Sequence, residues 1–268
     1  IFIFLIPESP RWLFQKGATN KAIAVLQQLN TKEEAAQVQS EIKSSLHQVD
    51  INQWKNLSNP IYKKVLFVGI GLSVLQQLTG INAILYYAPE IFKSLGSSTD
   101  VSLLETSILG VVNLIFTLLA IRLVDKMGRK PLLYIGSVAM TIALASVGLF
   151  IYYNAVGNWV LPFLLLFMGA FSISCGPIVW VLLSEIFPNK IRSLALAISV
   201  FIQWVANFVV TQVFPSLVEN QWLKDHFNGA FPFYLFSIIC LFSIYFIHKY
   251  IPETKNKSLE EINELWKI

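Results

Sequence analysis

The chain has 268 residues, 55% hydrophobic and 13% charged, with a net charge of +4 and a mean hydropathy of +0.60. A soluble domain of this size carries about twice that share of charge, so composition assigns the chain to a membrane and excludes a water-soluble globular fold. The two cysteines, Cys175 and Cys240, lie far apart in apolar segments, which excludes a disulfide framework or a Cys/His metal site and leaves them as small hydrophobes.

The first six residues, IFIFLI, precede a proline and are too few to cross a bilayer. They read as the end of a helix whose beginning lies upstream, and the chain as a fragment. Residues 7–62 are polar, with a short helix expected over about 20–29. Thr31 and Glu34 then fit a capping box, in which side chains satisfy two orphan backbone amides reciprocally. Beyond it Ala35, Val38, Ile42, Leu46 and Val49 recur at spacings of three and four. That is the apolar face of an amphipathic helix, lying on a membrane or against a partner.

Six apolar segments follow, near 65–87, 102–121, 131–153, 159–183, 194–218 and 230–251, each long enough to span a hydrocarbon core. The first contains LQQLTGINAILYY (75–87), in which Gln76, Gln77 and Asn82 surround a Thr-Gly pair. An amide left unpaired in an apolar medium costs about 1–3 kcal/mol by protein mutation and more by alkane transfer, so these side chains need partners. One such amide reads as interhelical hydrogen-bond glue; a cluster shifts the balance toward function. At about 100° per residue, Gln76, Gly80 and Tyr87 share a face with Gln77 beside them, and Asn82 points away. All three amides can face one cavity only if the helix unwinds between Thr79 and Ile81, which Gly80 permits. A helix broken at membrane depth is tolerated only where it is buried in protein or lines a cavity, and such breaks point to transporter binding sites.

The second span carries Asn113, and the connection after it holds Arg122, Lys126, Arg129 and Lys130. In the fourth, CGPIVW sets Gly176 and Pro177 before Trp180, so the helix is expected to be interrupted there; Pro177 removes a backbone donor and frees a carbonyl. The fifth carries Gln203, Trp204 and Asn207, and both Trp180 and Trp204 lie too deep for an interfacial belt. Carboxylates sit at span ends, Glu105 in the second and Glu185 in the fourth, and none at mid-membrane. Every Lys and Arg except Lys93 and Lys224 falls in 1–64, in the connections after the second and fourth spans, or in the tail. This asymmetry predicts both ends of the chain in the cytoplasm and assigns the basic charge to a membrane face rather than to nucleic acid.

Amides offer donors and acceptors, and indole offers a flat apolar face with one N–H. Together, without charge, they suit a neutral polyhydroxylated ring better than an ion, an amino acid or a phosphate. His47, His226 and His248 have no ligand spacing, and no nucleophile-base arrangement is apparent. No cofactor, metal or enzymatic activity is expected.

The motifs PESPRWL (7–13), QQLTGINAILYYAPEIF (76–92), VDKMGRKPLL (124–133), GPIVWVLLSEIFPNKIR (176–192) and IPETKNKSLEEI (251–262) together resemble the sugar porter family of the major facilitator superfamily, especially its bacterial members. The resemblance covers essentially the whole chain. It implies an all-α membrane protein: the six-helix C-terminal bundle of a major facilitator transporter (63–251), preceded by the end of a span (1–6) and cytoplasmic helices (7–62), with a cytoplasmic tail (252–268). It implies sugar contacts at Gln76, Gln77, Asn82, Tyr86, Asn113, Gly176, Trp180, Gln203 and Trp204, with Trp180 on the sugar ring. Tyr86 and Tyr87 would form an outer lid, and Arg129, Glu185 and Arg192 an inner gate of salt bridges joined by Glu253. Val179 departs from the pattern, since some relatives carry a second proline there. The partners implied are a small-molecule sugar, the lipid bilayer of the inner (plasma) membrane and a six-helix N-terminal half. The function implied is alternating-access transport of a neutral monosaccharide, possible as proton symport. A sugar-sensing membrane protein without transport, or an inactive truncated remnant, remain open at this point.

Overall fold

The computed structural model describes residues 7–47, 53–155, 159–257, 261–262 and 266. The expected span end at 1–6 and the predicted apolar position Val49 lie outside the described residues, as does the side chain of Leu46. The chain divides into two units, Ile1–Asn56 and Leu57–Ile268.

The first unit holds α1 (Pro10–Gln15), α2 (Thr19–Leu29), α3 (Lys32–His47) and α4 (Gln53–Asn56). Helices α1, α2 and α3 pack on one another, with Leu13, Ala22, Leu26 and Ala35 buried. The capping box forms as expected: Thr31 N donates to Glu34 Oε2 at 3.0 Å and Glu34 N to Thr31 Oγ1 at 3.4 Å. On the face beyond it Ala35 is buried, and Val38 and Ile42 are half-buried. The short helices α1 and α4 escape prediction because neither is long enough to show a period.

The second unit holds α5 (Pro60–Leu78), α6 (Ile81–Tyr86), α7 (Ala88–Ser94), α8 (Thr99–Met127), α9 (Arg129–Tyr152), α10 (Val160–Ile173), α11 (Cys175–Ile186), α12 (Arg192–Glu219), α13 (Gln221–Phe227) and α14 (Phe231–Tyr250). Among the described residues, six helical stretches are long and apolar enough to cross a membrane: Pro60–Tyr86, Thr99–Met127, Arg129–Tyr152, Val160–Ile186, Arg192–Glu219 and Phe231–Tyr250. Helix α9 packs between α10 and α14, α5 packs along α12, and α10 also meets α8. Met140, Leu144, Phe167, Met168, Ile178 and Leu182 fill the core. Helix α8 is apolar outside as well: Leu104, Ile108, Val111, Ile115 and Leu118 are exposed along one stripe, as suits a helix facing lipid.

The first span begins at Pro60 rather than near 65. Asn59 Oδ1 accepts from Ile61 N at 2.9 Å and Pro60 occupies the first helical turn, so Lys63 and Lys64 belong to the helix although their hydropathy does not. The second unit accordingly begins at Leu57, just before this helix.

Two of the six spans are broken. Gly80 has φ +84°, and α5 ends just before it while α6 starts just after. The carbonyls freed by the break are recovered locally: Thr79 Oγ1 donates to Gln76 O at 2.8 Å and Gly80 N to Gln77 O at 3.0 Å. In the fourth span the break falls at Ser174, three residues before Pro177. Proline cannot donate to the carbonyl four residues back, and its ring crowds that carbonyl; the residue concerned is Ile173, so the helix parts there. From Cys175 onward α11 runs unbroken through Val179, where a second proline is absent.

The end of the bundle where α8 stops and α9 starts carries most of the basic residues. Gly128 alone joins these helices, with φ +92°, and a Cβ there would meet the Glu253 carboxylate at 2.8 Å. That carboxylate caps α9 from a distant part of the chain. It accepts from the first amides of the helix, Arg129 N at 3.1 Å and Lys130 N at 3.0 Å, and from Thr254 N and Lys255 N. Burial pushes the Glu253 carboxyl up, but the bonds from Lys255, Arg129, Lys130 and Thr254 together outweigh it and hold the group below the usual glutamate range.

Three outcomes follow for stability. Gly80→Ala should lower the thermal midpoint in detergent, because it combines a left-handed backbone with a collision against the Phe236 ring, a cost of about 2–4 kcal/mol. Gly110→Ala, in α8 with open space around it, should leave the midpoint unchanged or raise it. For Glu253, a depressed carboxyl contributes stability above its unfolded pKa and loses it as pH falls through the folded value. Glu253→Gln should therefore be less stable than the parent at pH 7 and equally so at pH 5, and the gap should close only below the usual glutamate range.

Candidate functional site

The breaks bring the amides together. Beyond Gly80 the helix restarts, and this turns Asn82 toward Gln77: Asn82 Nδ2 donates to Gln77 Oε1 at 2.7 Å, and Gln77 Nε2 to Gln76 Oε1 at 3.5 Å. Gln76 Nε2 in turn donates to Cys175 O at 2.7 Å and Gly176 O at 3.2 Å, the first carbonyls of α11. One chain of three amides thus ties the first broken span to the second. In an apolar surround each such bond is worth about 0.6–2 kcal/mol.

These side chains line a hollow of about 240 Å³, just under the usual small-molecule range of about 300–1,000 Å³. The predicted residues Gln76, Gln77, Asn82, Asn113, Gly176, Trp180, Gln203 and Trp204 all line it. Among the described residues that line it, none is charged. The hollow is open on one side, where Trp180 is 45% and Trp204 56% exposed. Asn113 Oδ1 accepts from Ser172 Oγ at 2.8 Å, and this fixes how the amide is presented. Gln203 is 3% exposed, and its Oε1 is buried without a hydrogen-bond partner among the described residues. That acceptor is left with a hydrogen bond still to receive. Sequence reasoning missed the apolar wall, Ile81, Leu85, Met168 and Phe171, because nothing distinguishes these from core positions. It also missed Ser172, whose partner lies 59 residues away in sequence.

Tyr86 is exposed one turn beyond Asn82 and does not line the hollow. Tyr87 lies apart from it too. Its ring packs on Phe214 with centroids 5.4 Å apart, and its hydroxyl donates to Thr211 O at 3.5 Å. Pro215 leaves that carbonyl without its helical donor, so Tyr87 repairs a defect in α12. A larger cavity of about 590 Å³ lies beyond Tyr87, but its wall is largely apolar and its charged residues, Glu90, Glu219 and Lys224, sit exposed. It lacks the convergence of buried polar groups seen around Gln203.

At the basic end, Arg129 Nη2 and Glu185 Oε1 form an ion pair at 2.8 Å, both side chains largely buried. Thr254 Oγ1 donates to the other Glu185 oxygen at 2.7 Å, and Arg129 Nη1 to Val124 O at 3.4 Å. Arg192 Nε donates to Phe187 O at 3.0 Å across the connection between α11 and α12. Arg129 therefore links the end of α8, the end of α11 and the tail.

This geometry has close counterparts. The family model described as sugar (and other) transporter matches residues 1–266. The D-xylose-proton symporter of Escherichia coli K12 is 45% identical over 266 residues, covering 99% of this chain and 54% of the relative. The arabinose-proton symporter of Bacillus subtilis is 39% identical over 267 residues, covering 99% and 56%. Among solved structures, the major facilitator superfamily proton:xylose symporter XylE bound to 6-bromo-6-deoxy-D-glucose matches with a TM-score of 0.83 and 44% identity, over 99% of this chain and 55% of that one. The chain spans about half the length of these relatives. With a family match over residues 1–266 and six membrane-length helices, it belongs to the sugar transporter family of the major facilitator superfamily.

Proposed function

We propose that the chain forms the C-terminal half of a transporter that moves a neutral monosaccharide across the inner (plasma) membrane by alternating access. The observation that carries this reading is the uncharged hollow where amides from three spans converge beside two tryptophans, with the Gln203 carbonyl unmet. A sugar would satisfy that carbonyl with a hydroxyl and lay its C–H face on Trp180. The names of the relatives, symporters of xylose and arabinose, support a sugar substrate. The open side of the hollow suits an N-terminal six-helix partner that would close the site and, in a proton-coupled carrier, supply the acid that these spans lack. Lys and Arg at the basic end support a cytoplasmic position for that end.

In this reading Arg129, Glu185 and Arg192 serve the inner gate, holding the basic ends of α8, α11 and α12 together while the hollow faces outward. Tyr86 and Tyr87 border the outer path, with Tyr87 anchored to α12.

The test is sugar binding and proteoliposome uptake by the intact protein. Gln77→Ala, Gln203→Ala and Trp180→Ala should each weaken sugar binding about tenfold or more, since each removes a bond or a stacking face worth about 1–2 kcal/mol, with little change in folded yield. Parent-like binding in all three would assign the amides to helix packing alone. Glu185→Gln should cut uptake several-fold while sugar affinity changes less than in the three hollow variants, because the ion pair lies at the gate and reaches the hollow only through α11. Unchanged uptake would remove the gate from the mechanism.

A further inference from the structure

A second polar cavity, of about 290 Å³, opens at the basic end of the bundle. Lys64 from the start of α5, Lys130 from the start of α9 and Lys249 from the end of α14 line it, with Tyr250 and Trp266. Among the described residues, no carboxylate lines it and none pairs with any of the three ammonium groups. Lys130 Nζ donates to His248 O at 3.1 Å, and Lys249 Nζ to the Tyr245 hydroxyl at 3.0 Å. Among the described residues, those neutral partners leave the positive charge uncompensated. Trp266 is only 6% exposed, and its indole N–H is buried without an acceptor among the described residues. A buried donor without a partner is costly, so the site lacks an acceptor as well as negative charge. An anion with several acceptor oxygens supplies both, and phosphate is the chemical class that does so.

The surroundings choose between phosphate sources. Phe67 lies one turn deeper on α5 than Lys64 and is 56% exposed. Tyr245 and Leu241 lie one and two turns deeper on α14 than Lys249 and are also exposed. Apolar surface therefore runs from the lysines along the outer face of the bundle toward mid-membrane. A free phosphate has no use for it, whereas acyl chains do. Basic pockets between helices at a cytoplasmic face are where anionic headgroups bind. We propose that this cavity is a phosphate site occupied by an anionic phospholipid, whose headgroup sits among Lys64, Lys130, Lys249 and the Trp266 N–H and whose chains lie on Phe67 and Leu241. The proposal stands independently of the sugar reading.

The experiment titrates phosphatidylglycerol into the delipidated intact protein in detergent and reads occupancy by native mass spectrometry. Phosphatidylcholine and inorganic phosphate serve as comparison ligands. The expected result is one saturable phosphatidylglycerol per chain, with phosphatidylcholine binding more weakly. Lys64→Gln with Lys249→Gln should weaken phosphatidylglycerol about tenfold or more, while Lys16→Gln with Lys21→Gln, the same charge change in the first unit, should leave it unchanged. Trp266→Phe keeps the ring and removes only the donor, and should weaken binding several-fold even if the paired lysine variant folds poorly. If inorganic phosphate displaces the lipid at equal concentration, the anion site stands and its occupant is soluble phosphate. If Trp266→Phe and both lysine pairs bind phosphatidylglycerol like the parent, or if phosphatidylcholine binds equally well, the proposal is overturned.

Discussion

Everything in the bundle depends on one constraint: in an apolar medium, backbone polar groups must be satisfied by the protein itself. An unbroken helix meets it automatically. Gly80 and Pro177 break two spans and so create a debt of carbonyls and amides at depth. Thr79 meets part of it from one turn away, and Gln76 reaches across to the first carbonyls of α11. Joining the two broken spans and assembling the hollow are the same event, because the amide that clamps Cys175 also lines the space beside Gly176. The break at Gly80 likewise re-aims Asn82, which an intact helix would have pointed elsewhere.

What could be read from sequence follows the range of the interactions involved. The six spans, the Thr31–Glu34 box and the need for a break at Gly80 are local, set by composition and by residues within a turn or two. The convergence of Gln76, Gln77, Asn82, Trp180 and Gln203 was legible because an amide in an apolar span demands a partner, and several such demands have one economical solution. The rest was out of reach. That Glu253 caps α9 across 124 residues, that Ser172 fixes Asn113, and that Tyr87 repairs the carbonyl freed by Pro215 are all pairings between distant segments, with no periodic trace in either partner. The break falls at Ser174 rather than at Gly176–Pro177 because the proline acts on the carbonyl four positions back, and it is that residue whose helical bond is lost.

Charge is segregated as strictly as apolarity. The hollow holds none, while the basic end concentrates an ion pair and a carboxylate that receives four backbone amides. A charged hollow would strengthen binding of an ion but would carry a heavy desolvation cost whenever empty. Neutral amides avoid most of that cost, which suits a site that must fill and empty repeatedly. Ion pairs at the rim are different: partly hydrated, they can be broken and remade at moderate cost, unlike a fully buried pair.

Helix α11 joins these two regions. Its first carbonyl is held by Gln76 beside the hollow, and Glu185 near its far end is held by Arg129 and Thr254. Ten residues of unbroken helix separate the two anchors, about 15 Å along the axis. With valine rather than a second proline at position 179, there is no obvious point within this length at which the helix would bend. A displacement at the Gln76 clamp is therefore carried to the Arg129 pair by a stiff element instead of being absorbed between them. Under the transport reading, this is how occupancy of a neutral hollow can bear on charged contacts a half-membrane away: the differential contact lies at one end of a rod, the bistable contact at the other.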